Sequence, residues 1–258
     1  MKRWISLVSA LALLQGCATQ FAPPSGDGQD ISPLPTLQFQ RSSIRPQNDD
    51  EPVPPADLRP GDIILTSTPT LTSAGIRLMT FAPVSHAAVY IGNGRVVEAV
   101  GSGVRVRTLG KLLEEESVAL ALRHPDLTAQ QAQDVRAVAL EKVGRHFNYV
   151  GVAVHLPFSI NRRLCELPLM PSAVRDLCIR GVGGVHHLVT SKRALFCSQL
   201  VLQSYRQAGV PITDADPRLI SPADILHMRE GDVPSVKISR PLRFLGHLKY
   251  QQVASLEP

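Results

Sequence analysis

Alternation of apolar and polar positions sets the order of elements along most of the chain. Arg59-Pro60-Gly61-Asp62 reads as a turn feeding a strand from Ile63 to Thr66, and Leu71 to Thr80 carries a short helical pattern. His86 to Ile91 and Arg95 to Val100 read as strands that flank Gly92-Asn93-Gly94, a strong hairpin signal. Val104 to Thr108 and Val118 to Arg123 are further strands, with a short helix from Leu109 to Glu115 between them. Thr128 is placed to cap a helix running to about Val143 and stopping at Gly144. A second long helix runs from Leu195 to Ala208 and ends at Gly209. Ser221-Pro222-Ala223-Asp224 starts a short one, with Pro222 at its first position. Strands and helices in this mixed order predict an α+β domain without internal repeats.

The first residues follow another logic. Lys2 and Arg3 precede an apolar run from Trp4 to Leu14, which closes on Leu14-Gln15-Gly16-Cys17. The run is too short to span a bilayer and resembles a bacterial lipoprotein signal over residues 1–16, cleaved before Cys17 with a diacylglyceryl group on its sulfur. Ala18 stands where Asp would retain such a protein in the inner membrane. By that resemblance the chain is anchored in the outer membrane of a Gram-negative bacterium, facing the periplasm. Residues 17–57 are rich in Pro, Gly, Ser, Gln and Asp and read as a tether, partly polyproline II, that lets the domain stand off the membrane. Residues 58–258 are then one domain with a sizeable core, carrying an inserted segment at about 155–193.

Charge excludes one class of partner. The chain has 27 basic and 22 acidic residues, and removing Lys2 and Arg3 with the signal leaves 25 against 22, or +3. No dense basic run with interleaved aromatics occurs, so nucleic acid is not an expected partner. Cysteine usage says more. With Cys17 lipidated, Cys165, Cys178 and Cys197 remain in an oxidising compartment. Cys165 and Cys178 lie close together in a loop-rich stretch and are expected to bridge, leaving Cys197 as the odd thiol.

Cys197 stands at a helix start in Phe196-Cys197-Ser198-Gln199-Leu200-Val201, and His86 opens the strand Ser85-His86-Ala87-Ala88-Val89-Tyr90-Ile91-Gly92. A thiol attacks well only as the thiolate, and a neighbouring imidazole is the usual proton acceptor. The hairpin decides whether a carboxylate joins them. A two-residue turn at Asn93-Gly94 would set Val89 opposite Glu98 and send Glu98 to the face away from His86. A three-residue Gly92-Asn93-Gly94 loop, with Gly94 left-handed in a bulge, sets Ile91 opposite Arg95 and Ala88 opposite Glu98, so that His86 and Glu98 share a face. We take the three-residue loop, which lets Glu98 orient the imidazole.

These motifs resemble the permuted papain-like amidases of the YaeF/YiiX type, relatives of the NlpC-like cell-wall peptidases and of lecithin:retinol acyltransferase. The resemblance runs from about Leu58 to Val210. It includes Gly61-Asp62-Ile63-Ile64, the Ser85 to Gly92 strand, Val96-Val97-Glu98-Ala99, Gly144-Arg145-His146-Phe147-Asn148-Tyr149, and Phe196 to Val201 leading to Tyr205 and Gly209. It implies a circularly permuted papain-like fold, with an antiparallel sheet against helices. It also implies Cys197 as nucleophile, His86 as base and acid and Glu98 as orienter, with the Cys197 backbone N–H as one oxyanion donor. The chain departs from these relatives at Phe147-Asn148, where they tend to carry Tyr-Asp, and in the long segment from His155 to Arg193.

The expected function is that of an envelope thiol hydrolase working through a thioester on an amide, isopeptide or acyl bond, in a peptidoglycan peptide or a lipid-linked amide; acyl transfer is a variant. The alternative is a catalytically inactive outer-membrane lipoprotein that keeps the fold as a binding or scaffolding module. The apolar and basic mixture of residues 155–193 suits a cover over the catalytic groove, or equally a helical subdomain away from it. No cofactor or metal is expected: His186-His187 lacks further ligands at usual spacing, and Gly181-Val182-Gly183-Gly184 lacks the features of a phosphate loop. Glu114-Glu115-Glu116 reads as a solvated helix end, and a monomer is expected.

Overall fold

The computed structural model describes residues 19–22, 36–41, 44, 52–68, 83–149, 165, 170, 174, 175, 177–179, 181 and 195–251. The residue 1–16 signal, Cys17, the Leu71 to Thr80 helix and most of the 155–193 segment lie outside these. After two short strands, β1 (Thr19–Ala22) and β2 (Thr36–Phe39), the chain builds β3 (Ile63–Ser67), β4 (His86–Gly92), β5 (Arg95–Val100), β6 (Gly103–Thr108), β7 (Val118–Arg123) and β8 (Arg243–Tyr250). The last six form one antiparallel sheet in the order β6-β5-β4-β3-β7-β8. Among the described residues it is accompanied by the α-helices α1 (Leu109–Glu115), α2 (Ala129–Glu141), α3 (Cys197–Gln207) and α4 (Pro222–His227).

Period-two alternation fills both faces of the sheet. One face turns Ile63, Leu65, Ala87, Val89, Val97, Leu120 and Leu122 toward Val135 and Ala139 of α2 and Leu200, Val201 and Tyr205 of α3. The other packs Ile64, Ala88, Tyr90, Val96 and Ala121 against Leu109 and Leu112 of α1. Helix starts follow the capping chemistry of the sequence. Thr128 accepts from Gln131 N while the Gln131 side chain answers the Thr128 N–H, and Ser221 and Asp224 repeat the arrangement on α4.

The hairpin register has a different cause from the one expected. Ala88 does face Glu98, but Gly92, not Ile91, faces Arg95. The turn is the two-residue Asn93-Gly94, both left-handed at φ 53° and 62°, and the extra residue is Ile91, bulged between Tyr90 and Gly92. A bulge within the strand does the work assigned to the loop.

Tyr205 fixes α3 to the sheet. Its hydroxyl donates to the Gly61 carbonyl, while Gly61 N donates to Tyr90 O at 2.8 Å and Tyr90 N to Asp62 O at 2.8 Å. Asp62 is fully enclosed. It accepts Arg123 Nε and Nη2 at 2.7 Å each and Arg59 N at 2.7 Å. Gly61 holds φ at 92°, and a Cβ there would come within 2.8 Å of the Leu127 side chain, which no L-residue could accommodate without displacement.

The stretch read as a polyproline tether is partly structured and bound to the domain. β1 and β2 pair antiparallel. Gln40 Nε2 then donates to Val233 O and Ser235 Oγ, Arg41 N to Asp232 Oδ1 at 2.9 Å, and His247 Nε2 to Ile44 O at 2.7 Å. Val53 N closes the run on His247 O. The pattern was hidden because the strands are four residues each and separated by prolines. β8 was likewise not read: Gly246, at φ 133°, and two register shifts against β7 break its alternation. In the inserted segment, Cys165 and Cys178 are joined, with Cα atoms 5.6 Å apart, and Cys197 is a free thiol.

Replacing Arg123 by Ala strands the Asp62 charge in the interior, and the expected cost is about 3 kcal/mol, read as a lowered denaturant midpoint. An unchanged midpoint would show that Asp62 does not depend on this partner.

Candidate active site

Three elements converge at one end of the sheet. His86 is the first residue of β4, Glu98 lies mid-strand in β5 and Cys197 is the first residue of α3. Because Ala88 faces Glu98, His86 is its diagonal neighbour on the same face. His86 Nε2 and Glu98 Oε2 stand 3.0 Å apart. With Nε2 engaged, Nδ1 is the ring nitrogen left for the thiol. The residue at the N-cap of α3 is Phe196, which has no side-chain acceptor. The sulfur takes that role instead, accepting the backbone N–H groups of Ser198 and of Ala87.

Protonation follows from these contacts. Burial opposes a charge on His86, but hydrogen bonds to Cys197 and Glu98 outweigh it and push its pKa up to about 10. Burial likewise opposes the Cys197 thiolate, and the hydrogen bond and charge of His86, with the two backbone N–H groups, bring its pKa below the ordinary thiol value. Glu98 is held below the usual carboxylate range: burial acts against this, and His86 and Arg105 overcome it. Both shifts act in the direction of a thiolate–imidazolium pair, with the Glu98 carboxylate beside the ring.

Glu98 is 1% exposed and needs more than one partner. Arg105 Nε and Nη2 reach its Oε1 at 2.9 and 2.8 Å, and Arg107 Nη1 lies 3.7 Å away while also pairing with Glu115. The two arginines were absent from the sequence reading. One was legible, since a Gly101-Ser102 turn sets Glu98 opposite Arg105 by simple counting.

Glu116 corrects an expectation. It is not a solvated helix end but 6% exposed, and burial raises its carboxyl pKa while the charge of His86 opposes the rise. The Thr66 hydroxyl interacts with this carboxyl, while its Oε2 and the hydroxyls of Ser67 and Ser117 have no hydrogen-bond partner among the described residues. Nothing in the Glu-Glu-Glu run distinguishes it from Glu115.

The Gly144 to Tyr149 motif acts by stitching. Gly144 N donates to Val104 O and Val104 N to Arg145 O, and Asn148 N and Leu195 N exchange bonds with Leu195 O and His146 O just before the Cys197 helix. Tyr149 Oη donates to Gly101 O at 2.8 Å. The motif thereby ties the β5–β6 turn to the chain just before Cys197. Among the described residues no three His, Cys, Asp or Glu side chains are grouped to hold a metal. His227 Nδ1 meets Asp232 Oδ2 at 3.1 Å, and Arg229 Nε pairs with the same oxygen at 3.1 Å. His186 and His187 lie outside the described residues.

A solved structure titled as the metalloprotein yiiX from Escherichia coli O157:H7 aligns with 73% of this chain and 96% of its own, at 17% identity and a TM-score of 0.43, too distant to inform the site. The model of the permuted papain-like amidase family YaeF/YiiX, C92, matches residues 57–152, which include His86 and Glu98. The Escherichia coli K12 protein named "Probable lipoprotein peptidase YaeF" is 33% identical over 243 residues, covering 92% of this chain and 89% of that one. With the order His86, Glu98, Cys197 on an antiparallel sheet and a helix start, the chain belongs to the permuted papain-like amidase family.

Proposed function

We propose that this protein is a cysteine amidase or peptidase of the bacterial envelope, lipid-anchored through Cys17, that cleaves an amide bond through a thioester on Cys197. The observation that carries the reading is His86 held between Glu98, at 3.0 Å, and the sulfur of a helix-start cysteine. The thiolate Sγ attacks the carbonyl carbon, and the oxyanion meets the backbone N–H of Cys197 at the start of α3. The imidazolium gives its proton to the leaving nitrogen as the C–N bond breaks. Water then loses a proton to His86 and attacks the thioester, and the thiolate departs. Glu98 keeps the ring oriented throughout, and Arg105 and Arg107 keep Glu98 charged. The lipoprotein name of the relative supports the envelope placement, with the outer membrane as its expected side. A peptidoglycan peptide or a lipid-linked amide fits that compartment. Water as the final acceptor accounts for the chemistry without a second substrate.

The pH dependence has two limbs. Below the depressed Cys197 pKa the thiolate is protonated, and near pH 10 the imidazolium loses the proton needed by the leaving group. The rate of amide cleavage should therefore plateau between these limits. Alkylation of Cys197 by iodoacetamide should remain fast well below pH 8, and a single titration at the ordinary thiol value would refute the ion pair.

Cys197→Ala should lower kcat on envelope peptide by about 10⁴-fold or more. Glu98→Gln should cost on the order of 10²-fold and shift alkylation toward higher pH, because the ring loses its anionic partner. Full turnover by Cys197→Ala on the same peptide would exclude this mechanism.

A further inference from the structure

The anchored end of the chain is held against the domain, which sets how the protein meets the bilayer. Thr19, two residues after Cys17, is 4% exposed, and its carbonyl accepts Arg175 Nη1 at 3.2 Å. Arg175 is itself 4% exposed and lies between the bridged Cys165 and Cys178. From Gln40 to Val53 the same stretch is bonded again to Val233, Ser235, Asp232 and His247. A free forty-residue linker over residues 18–57 would hold the domain about 35 Å from its lipid. Two extended residues reach only about 7 Å, comparable to the headgroup layer, which is about 5–8 Å per leaflet.

The surface beside this attachment is apolar. Leu37 and Phe39, two apart on β2, share a face and are 37% and 56% exposed, and Phe39 is the register partner of Thr19. Val174 and Leu177 flank Arg175 in the stapled segment and are 52% and 71% exposed. Apart from the buried Arg175, the sequence of the segment 155–193 holds Arg162, Arg163, Arg180, Lys192 and Arg193 against Glu166 and Asp176, a balance that favours an anionic surface.

We propose that the β1–β2 pair and the disulfide-stapled turn around Arg175 form a bilayer-contacting face, so that the lipidated protein lies on the membrane surface instead of standing off it. The inference rests on lipidation of Cys17 but not on the catalytic assignment. Its occupant is a phospholipid bilayer, which takes up exposed Leu, Phe and Val at the boundary between headgroups and acyl chains.

The test uses the full lipidated chain in vesicles of phosphatidylethanolamine and phosphatidylglycerol. In a Cys197→Ser background, Phe39→Cys, Leu177→Cys and, as a control, the exposed Gln133→Cys on α2 carry an environment-sensitive fluorophore. Brominated lipid should quench the labels at 39 and 177 about threefold more than at 133, as expected for side chains in the interface. Equal quenching at all three sites, with iodide reaching them alike from water, overturns the proposal. Amide hydrogen exchange on the unlabelled chain reads the same question without substitution: residues 36–39 and 174–179 should exchange more slowly on vesicles than in the Cys17→Ser chain in solution, and equal rates count against it. Failure of the lipid reading shows separately, as a full chain that does not float with vesicles at all.

Discussion

The pairing of β4 with β5 is the constraint on which the site depends, because side chains alternate faces along a strand and a one-residue shift transfers all of them. Ile91, bulged between Tyr90 and Gly92, supplies that shift. Without it a tight Asn93-Gly94 turn would set Val89 against Glu98, and the carboxylate would point away from His86. With it, the short turn and the shared face coexist. The arginines opposite Glu98 follow from the same register, since β6 continues the ladder.

The second dependence is the docking of α3. Cys197 gains its character from the helix start, the imidazole and two backbone N–H groups, all of which require the helix at one height along β4. Tyr205, two turns on, sets that height through Gly61, and the Asp62–Arg123 pair fixes Gly61 in turn. At the other end, the bonds of Leu195 with His146 and Asn148 position the chain just before Cys197. The motifs that carry the family resemblance thus divide into the three residues to which we assign the chemistry and a larger set that aligns them.

Much of this was legible. Strand alternation, Thr128 and Ser221 as caps, Gly144 and Gly209 as stops, and the Asn-Gly turn are local signals, and local signals locate elements well. The grouping of His86, Glu98 and Cys197 could be argued because each sits at a readable place in an element. What escaped depends on tertiary context. A bulge has no composition of its own, so Ile91 looked like any strand residue. β8 lost its period to Gly246 and two register shifts. Glu116 is buried by the strands around it, and its neighbours Glu114 and Glu115 conceal the difference. Arg41, Ile44 and Val53 dock through backbone groups, which leave little trace in side-chain pattern.

The order of the triad along the chain has a consequence for when the thiol becomes reactive. His86 and Glu98 belong to one hairpin and can meet as soon as that hairpin forms, whereas Cys197 arrives a hundred residues later and must dock as a helix. Until it does, its sulfur lacks both the imidazole and the backbone N–H groups and behaves as an ordinary thiol. A chain emerging from its N-terminus therefore carries Cys197 as an ordinary thiol until α3 docks against β4 and brings it to His86.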